Sequence, residues 1–176
     1  VERRRWWLLY LWIPLMAFTR PGVLAFSLML ALYGIWRWSR RAGDELPPRE
    51  VVHIVANGLL AAVYGFAWPV ITGVVTGEAG AYLQTELAWR RSWVGDHGGF
   101  MPFDGTVQAA VLWAGIWGVP AWACLAGLTT IVVLATALIV ADRRVKRLGV
   151  PIRLWSGAYL LYLLAVFFPQ SSTFRL

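Results

Sequence analysis

The residues able to do chemistry collect in one stretch, 76–105, which holds Glu78, Glu86, Arg90, Arg91, Asp96, His97 and Asp104 between two long apolar runs. Arg90 and Arg91 carry the planar fork of donors that matches phosphate oxygens. Asp96, His97 and Asp104 offer oxygen and imidazole to a divalent ion, but their spacing follows no metal-binding motif. Solvated loop charge accounts for the same residues without any chemistry, and an arginine pair beside apolar helices commonly sits among lipid headgroups.

Elsewhere the chain offers little that ionises. His53 and Asn57 fall one helical turn apart on one face of an apolar run, near its end, where solvation or bonding to the helix itself explains them. Thr129, Thr130 and Thr136 can bond back to their own helix carbonyls. No line of carboxylates suited to a proton relay crosses the apolar runs, which argues against a pump. No internal repeat or pair of broken helices points to a transporter. The single cysteine, Cys124, lies inside an apolar run, so it reads as a buried, inert thiol with no cage for a metal around it.

The elements that must position these groups follow from composition and charge. With 59% apolar and 14% charged residues, the chain has too little polar surface to cover a water-soluble globule. All but four of its sixteen basic residues sit in three clusters, Arg3 to Arg5, Arg37 to Arg49 and Arg143 to Arg153. Apolar runs alternate these clusters with connectors poor in positive charge. Cytoplasmic loops keep Lys and Arg, so the pattern implies a multi-pass protein of the cell membrane with the three clusters inside. The net charge of +7 is therefore a topology signal and needs no nucleic acid partner. Many of the twelve tryptophans flank the runs, as rings that settle at the headgroup level do.

The expected architecture is all-α: a polytopic helical membrane protein with about five transmembrane helices. The spans are 6–18, 22–36, 51–75, 121–141 and 154–168. The first is short for a crossing of about twenty residues, and its flanking arginines and tryptophans could compensate. Small residues at Gly58/Ala62, Ala61/Gly65 and Gly73/Gly77 would let another helix approach the third run closely. The 76–105 connector is the outer loop, with an amphipathic interfacial helix at 81–93 that turns Leu83, Leu87 and Trp89 or Trp93 to lipid. Residues 107–118 precede Pro120 and read as an interfacial or re-entrant helix. The amino end lies inside and the carboxyl end outside. Arg3 to Arg5 before an apolar stretch are not read as a secretory signal, because no small-residue cleavage site follows.

Two outer stretches carry a resemblance. Thr76-Gly77-Glu78-Ala79-Gly80-Ala81-Tyr82-Leu83-Gln84-Thr85-Glu86-Leu87-Ala88-Trp89 resembles a loop in the second mannosyltransferase of GPI-anchor synthesis and its actinobacterial membrane relatives. There a turn of glycines and an acid leads into an amphipathic helix, often with a glutamine where Glu86 stands here. Pro169-Gln170-Ser171-Ser172-Thr173-Phe174-Arg175-Leu176 resembles the Ser-Ser-x-x-Arg turn that follows a late span in the same group. The likeness covers roughly residues 51–176.

The resemblance implies a C-type glycosyltransferase, which moves a sugar from a polyprenyl-phosphate donor to an acceptor at the outer membrane face. It would assign the acceptor region to Glu78 or Asp96 and the donor phosphate to Arg90 and Arg175. No resident cofactor is expected, while a divalent cation could assist at the phosphate. Such families keep their catalytic carboxylate in the first outer loop, and here 19–22 has none. The expectation is therefore one helical transmembrane domain over 1–176 that forms the carboxyl-terminal portion of a longer protein, or a degenerate relative inactive alone. The competing expectation is a non-enzymatic scaffold or assembly partner whose outer loop docks another membrane protein.

Overall fold

A computed structural model describes residues 5–19, 22–95 and 99–169. Among them every regular element is helical: α1 (Trp7–Thr19), α2 (Val23–Ser39), α3 (Pro48–Gly65), α4 (Ala67–Thr76), α5 (Ala81–Val94), α6 (Asp104–Trp117), α7 (Ala121–Ala141), α8 (Arg143–Arg147) and α9 (Val150–Val166). Two helical stretches are long and apolar enough to cross a bilayer: Pro48–Thr76 with 29 residues and Ala121–Ala141 with 21. Trp7–Thr19, Val23–Ser39 and Val150–Val166 are shorter apolar helices.

Local chemistry sets the boundaries. Pro48 opens α3, where a missing N–H costs nothing, and Asp142 caps α8 by accepting from the Arg144 and Val145 amides at 2.6 and 3.1 Å. The single long run expected at 51–75 is instead interrupted between Gly65 and Ala67. Pro69 has no N–H to give to the Gly65 carbonyl, and its ring crowds that carbonyl, so the helix restarts at Ala67. Gly77, at φ 74, closes α4 in the left-handed region, so it ends a helix instead of packing one.

The core lies where α1, α3 and α9 surround α2. Trp6, Met29, Leu30, Tyr33, Ile54 and Ala158 form one cluster, and Ile13, Ala17, Val23 and Ala61 form a second. The small-residue reading of α3 holds on the α2 side: Ala61 is fully buried, and a Cβ on Gly65 would stand 2.6 Å from Leu24 Cγ. Gly73 packs against the backbone of Ala79, in the turn before α5.

Outside this core the surface is apolar. α7 has no buried residue, and Val74, Val75, Trp122 and Ile131 are each more than 60% exposed. A bundle in water rarely leaves contiguous apolar faces of this extent, whereas hydrocarbon tolerates them.

Candidate functional site at the α5–α6–α9 junction

The bundle has two chemically different poles. α9 runs antiparallel to α2: Trp36 and Leu32 line one cavity with Val150 and Arg153, while Gly22 at the other end lies against Tyr159 and Tyr162. The connectors that follow α2 and α7, rich in arginine, therefore share a pole. The far ends of α2 and α9 lie at the opposite one.

That opposite pole is built on the unsatisfied carbonyls at the end of α9. Thr106 Oγ1 donates to Leu164 O at 2.8 Å and to Phe167 O at 3.3 Å, and the Phe103 amide donates to Ala165 O at 3.0 Å. Phe103 makes its bond from φ 70, the one non-glycine residue in the left-handed region among those described. A bulky residue there is strained, and the bond to α9 holds it. Trp113 Nε1 donates to Pro169 O at 3.2 Å, so the chain leaving α9 is fastened along α6.

Arg90 sits in this junction with 7% of its surface exposed. Its guanidinium reaches Asp104 Oδ2 at 3.4 Å and Gly99 O at 3.5 Å. Gln108 donates to the same carboxylate oxygen at 2.8 Å, and Asp104 stands in the first turn of α6, where its charge suits the helix dipole. A Cβ on Gly105 would lie 3.0 Å from Phe167 O and 3.5 Å from Arg90 Nη1, so the absent side chain permits the close approach of the three elements.

Tyr82, Glu86 and Arg90 follow each other at four-residue spacing and so share one face of α5. Burial holds the Tyr82 phenol above the ordinary tyrosine value, and the Glu86 carboxylate raises it further. Tyr82 and Glu86 lie within electrostatic reach of Tyr162 on α9. Tyr162 ends an aromatic row with Trp155 and Tyr159, whose rings stack at 5.3 and 6.4 Å, and Phe167 continues it at 6.2 Å.

The sequence-derived candidates divide. Arg90 and Asp104 are brought together. Glu78 is exposed in the turn before α5, where its amide and Thr76 Oγ1 meet at 3.2 Å. From Ala81 to Arg90 alone α5 rises about 14 Å, so Glu78 and Arg90 are not neighbours. Arg91 faces away, exposed, and donates to Gln84 O at 3.3 Å. Asp96, His97 and Arg175 lie outside the described residues. Among those described, no group of three or more His, Cys, Asp or Glu residues could hold a metal ion. Tyr82 and Tyr162 were not singled out by sequence and Glu86 was given no role, although the four-residue spacing of Tyr82, Glu86 and Arg90 was visible.

Family models, curated proteins and solved structures gave no match. Leu87, expected to face lipid, is buried inward, while Leu83, Trp89 and Trp93 are exposed as expected. α5 thus turns Tyr82, Leu87 and Arg90 to the protein, with Glu86 exposed at the edge of that face, and an indole-rich face outward.

Toward the arginine-rich pole, His53 Nδ1 pairs with Tyr10 Oη at 3.0 Å, and Asn57 donates back to His53 O at 2.8 Å. Thr129, Thr130 and Thr136 each donate to the carbonyl four residues before them at 2.8 Å. These polar groups are spent within or between helices.

Proposed function

We propose that this chain is a multi-span membrane protein that handles a polyprenyl-phosphate sugar at its outer face, in the manner of a C-type glycosyltransferase. The observation that carries the reading is the buried Arg90 guanidinium at the α5–α6–α9 junction, on the pole away from the arginine-rich connectors. The charge pattern supports five crossings by α1, α2, α3 with α4, α7 and α9, with that pole outside and the amino end in the cytoplasm. α5 then lies along the interface, and α6 is the interfacial or re-entrant helix.

In this reading Arg90 is the cation toward which a lipid phosphate is drawn, with Arg175 as a second from the stretch after Pro169. Glu86, Glu78 and Asp96 are the carboxylates able to take the acceptor's proton. The acceptor oxygen forms a bond to the anomeric carbon as the bond from that carbon to the phosphate oxygen breaks. The lipid phosphate leaves with the electron pair, and a divalent cation could share its charge.

The test uses the full chain in lipid nanodiscs with polyprenyl-phosphate mannose as probe. A thermal upshift at excess ligand, lost in Arg90→Gln, is expected. No shift with the wild-type chain would overturn the reading.

A second reading has its own support. α7 has no buried residue along 21 positions, leaving a whole helix face for another subunit. A chain that ignores the lipid-linked sugar but co-assembles with another membrane protein through α7 would be a scaffold.

A further inference from the structure

A groove of about 410 Å³ opens between α2 and α3, within the usual size range of ligand pockets. Gly34 and Trp38 on α2, with Val51, Val55, Gly58 and Ala62 on α3, make its wall. Ser27 is a polar member of the lining, and its hydroxyl is already donated to Gly58 O at 2.9 Å. The groove therefore offers its occupant mostly hydrocarbon along its length.

Its mouth differs. Trp38 carries the Arg41 guanidinium over its ring, 4.0 Å from the centroid. Arg40 on the same connector and Arg49 in the first turn of α3 are exposed. Arg37 is turned inward onto Asp44 and Glu50, which engages two of the local acids and leaves Glu45 as the other carboxylate beside the exposed arginines. Length supports the same occupant: from Val51 to Ala62 α3 rises about 16 Å, close to one leaflet's share of a hydrocarbon core of about 30 Å. The second cavity, between α2, α7 and α9, also meets an arginine. There Arg153 gives Nε to Ile139 O at 2.8 Å and Nη2 to Val140 O at 3.0 Å, so its guanidinium is drawn onto the end of α7.

We infer that the α2–α3 groove seats one acyl chain of an anionic phospholipid from the leaflet at the arginine-rich pole, with its phosphate on Arg41. Trp38 orients that guanidinium, and Arg40 and Arg49 add to the positive field. The inference is independent of sugar transfer, and its test contains no sugar donor, so its failure leaves the preceding proposal untouched.

The test is native mass spectrometry of the full chain released from detergent after titration with phosphatidylglycerol or phosphatidylcholine of identical acyl chains. One phosphatidylglycerol should be retained over phosphatidylcholine by about fivefold, the effect expected of one arginine at a membrane surface. Arg41→Gln, at an exposed position, should bring the two lipids to parity. Gly58→Leu, filling the groove, should abolish the retained lipid of either kind, with circular dichroism checking that both variants fold. Equal retention by the wild type, or an unchanged preference in Arg41→Gln, would overturn the inference. So would displacement by inorganic phosphate alone, or a dimer that excludes lipid until Gly58→Leu separates it.

Discussion

Arg90 on α5 and Asp104 at the start of α6 form an ion pair at 3.4 Å, although fourteen positions separate them in the chain. The pair closes the α5–α6 connector onto the end of α9, because a Cβ on Gly105, next to Asp104, would meet both Arg90 Nη1 and the Phe167 carbonyl. Its neighbour Arg91 has no such anchor.

Arg90→Ala should therefore destabilise the fold by about 1–3 kcal/mol, since Asp104 loses its charged partner in a half-buried junction. Arg91→Ala should stay within about 0.5 kcal/mol of the wild type, as an exposed substitution does. Thermal melting of both variants in one detergent measures the difference. Equal effects would mean that the pair does not close the junction.

Arg37 makes a larger claim on stability. Its side chain is 1% exposed and engages Asp44, Glu50 and the Glu45 carbonyl, joining α2 to α3 across their connector. Arg37→Ala should cost about 3–5 kcal/mol, because the buried Glu50 carboxylate loses its guanidinium. Adding Glu50→Gln should recover part of the loss, and protease susceptibility of the 40–47 connector reports the opening.

Three glycines should separate by what surrounds them. Gly65→Val drives a branched side chain into Leu24 and should cost about 1–3 kcal/mol. Gly105→Ala brings a methyl to 3.0 Å from a backbone oxygen and should loosen the α6–α9 contact. Gly115→Ala meets open space inside α6 and should stabilise by about 0.5–1 kcal/mol. Melting temperatures in that order would be expected.

Sidedness is open to direct labelling. In a Cys124→Ala background, Gly99→Cys should react with a membrane-impermeant maleimide on intact cells, and Gly43→Cys only after lysis. Gly43 has open space around it, so the probe site should not disturb the fold. The reverse pattern would invert the proposed outer site.

The Tyr82 phenol should ionise above the ordinary tyrosine value of about 10, because burial and then the Glu86 carboxylate disfavour the phenolate. A raised folded-state value means that this stabilisation is present below that ordinary value and fades as pH rises through the higher one. Glu86→Gln should move the phenolate absorbance of Tyr82 toward lower pH, read against a Tyr82→Phe control.

Much of the helical layout was legible from hydropathy and charge. α1, α2, α7 and α9 fall close to their expected boundaries, and helices are present at Ala81–Val94 and Asp104–Trp117, where two further helices were expected. The break in the third run was not anticipated, although Pro69 was in view; run length outweighed the loss of one backbone donor. Arg37 was counted with an inside cluster of loop charge, yet it is buried together with Glu50. A charge beside a proline-rich loop reads as solvated unless its partners are known, and those partners belong to another helix and to the turn between.

The linear chain settles which stretches are helical and apolar, because a residue's hydropathy and its neighbours at three- and four-residue spacing are local properties. It also separates cation-rich from cation-poor connectors. The three-dimensional arrangement decides that Arg90 meets Asp104, that the end of α9 is capped by 103–106, and that a groove opens between α2 and α3. These depend on how far side chains of distant helices reach toward one another, a geometry that spacing along one helix does not contain.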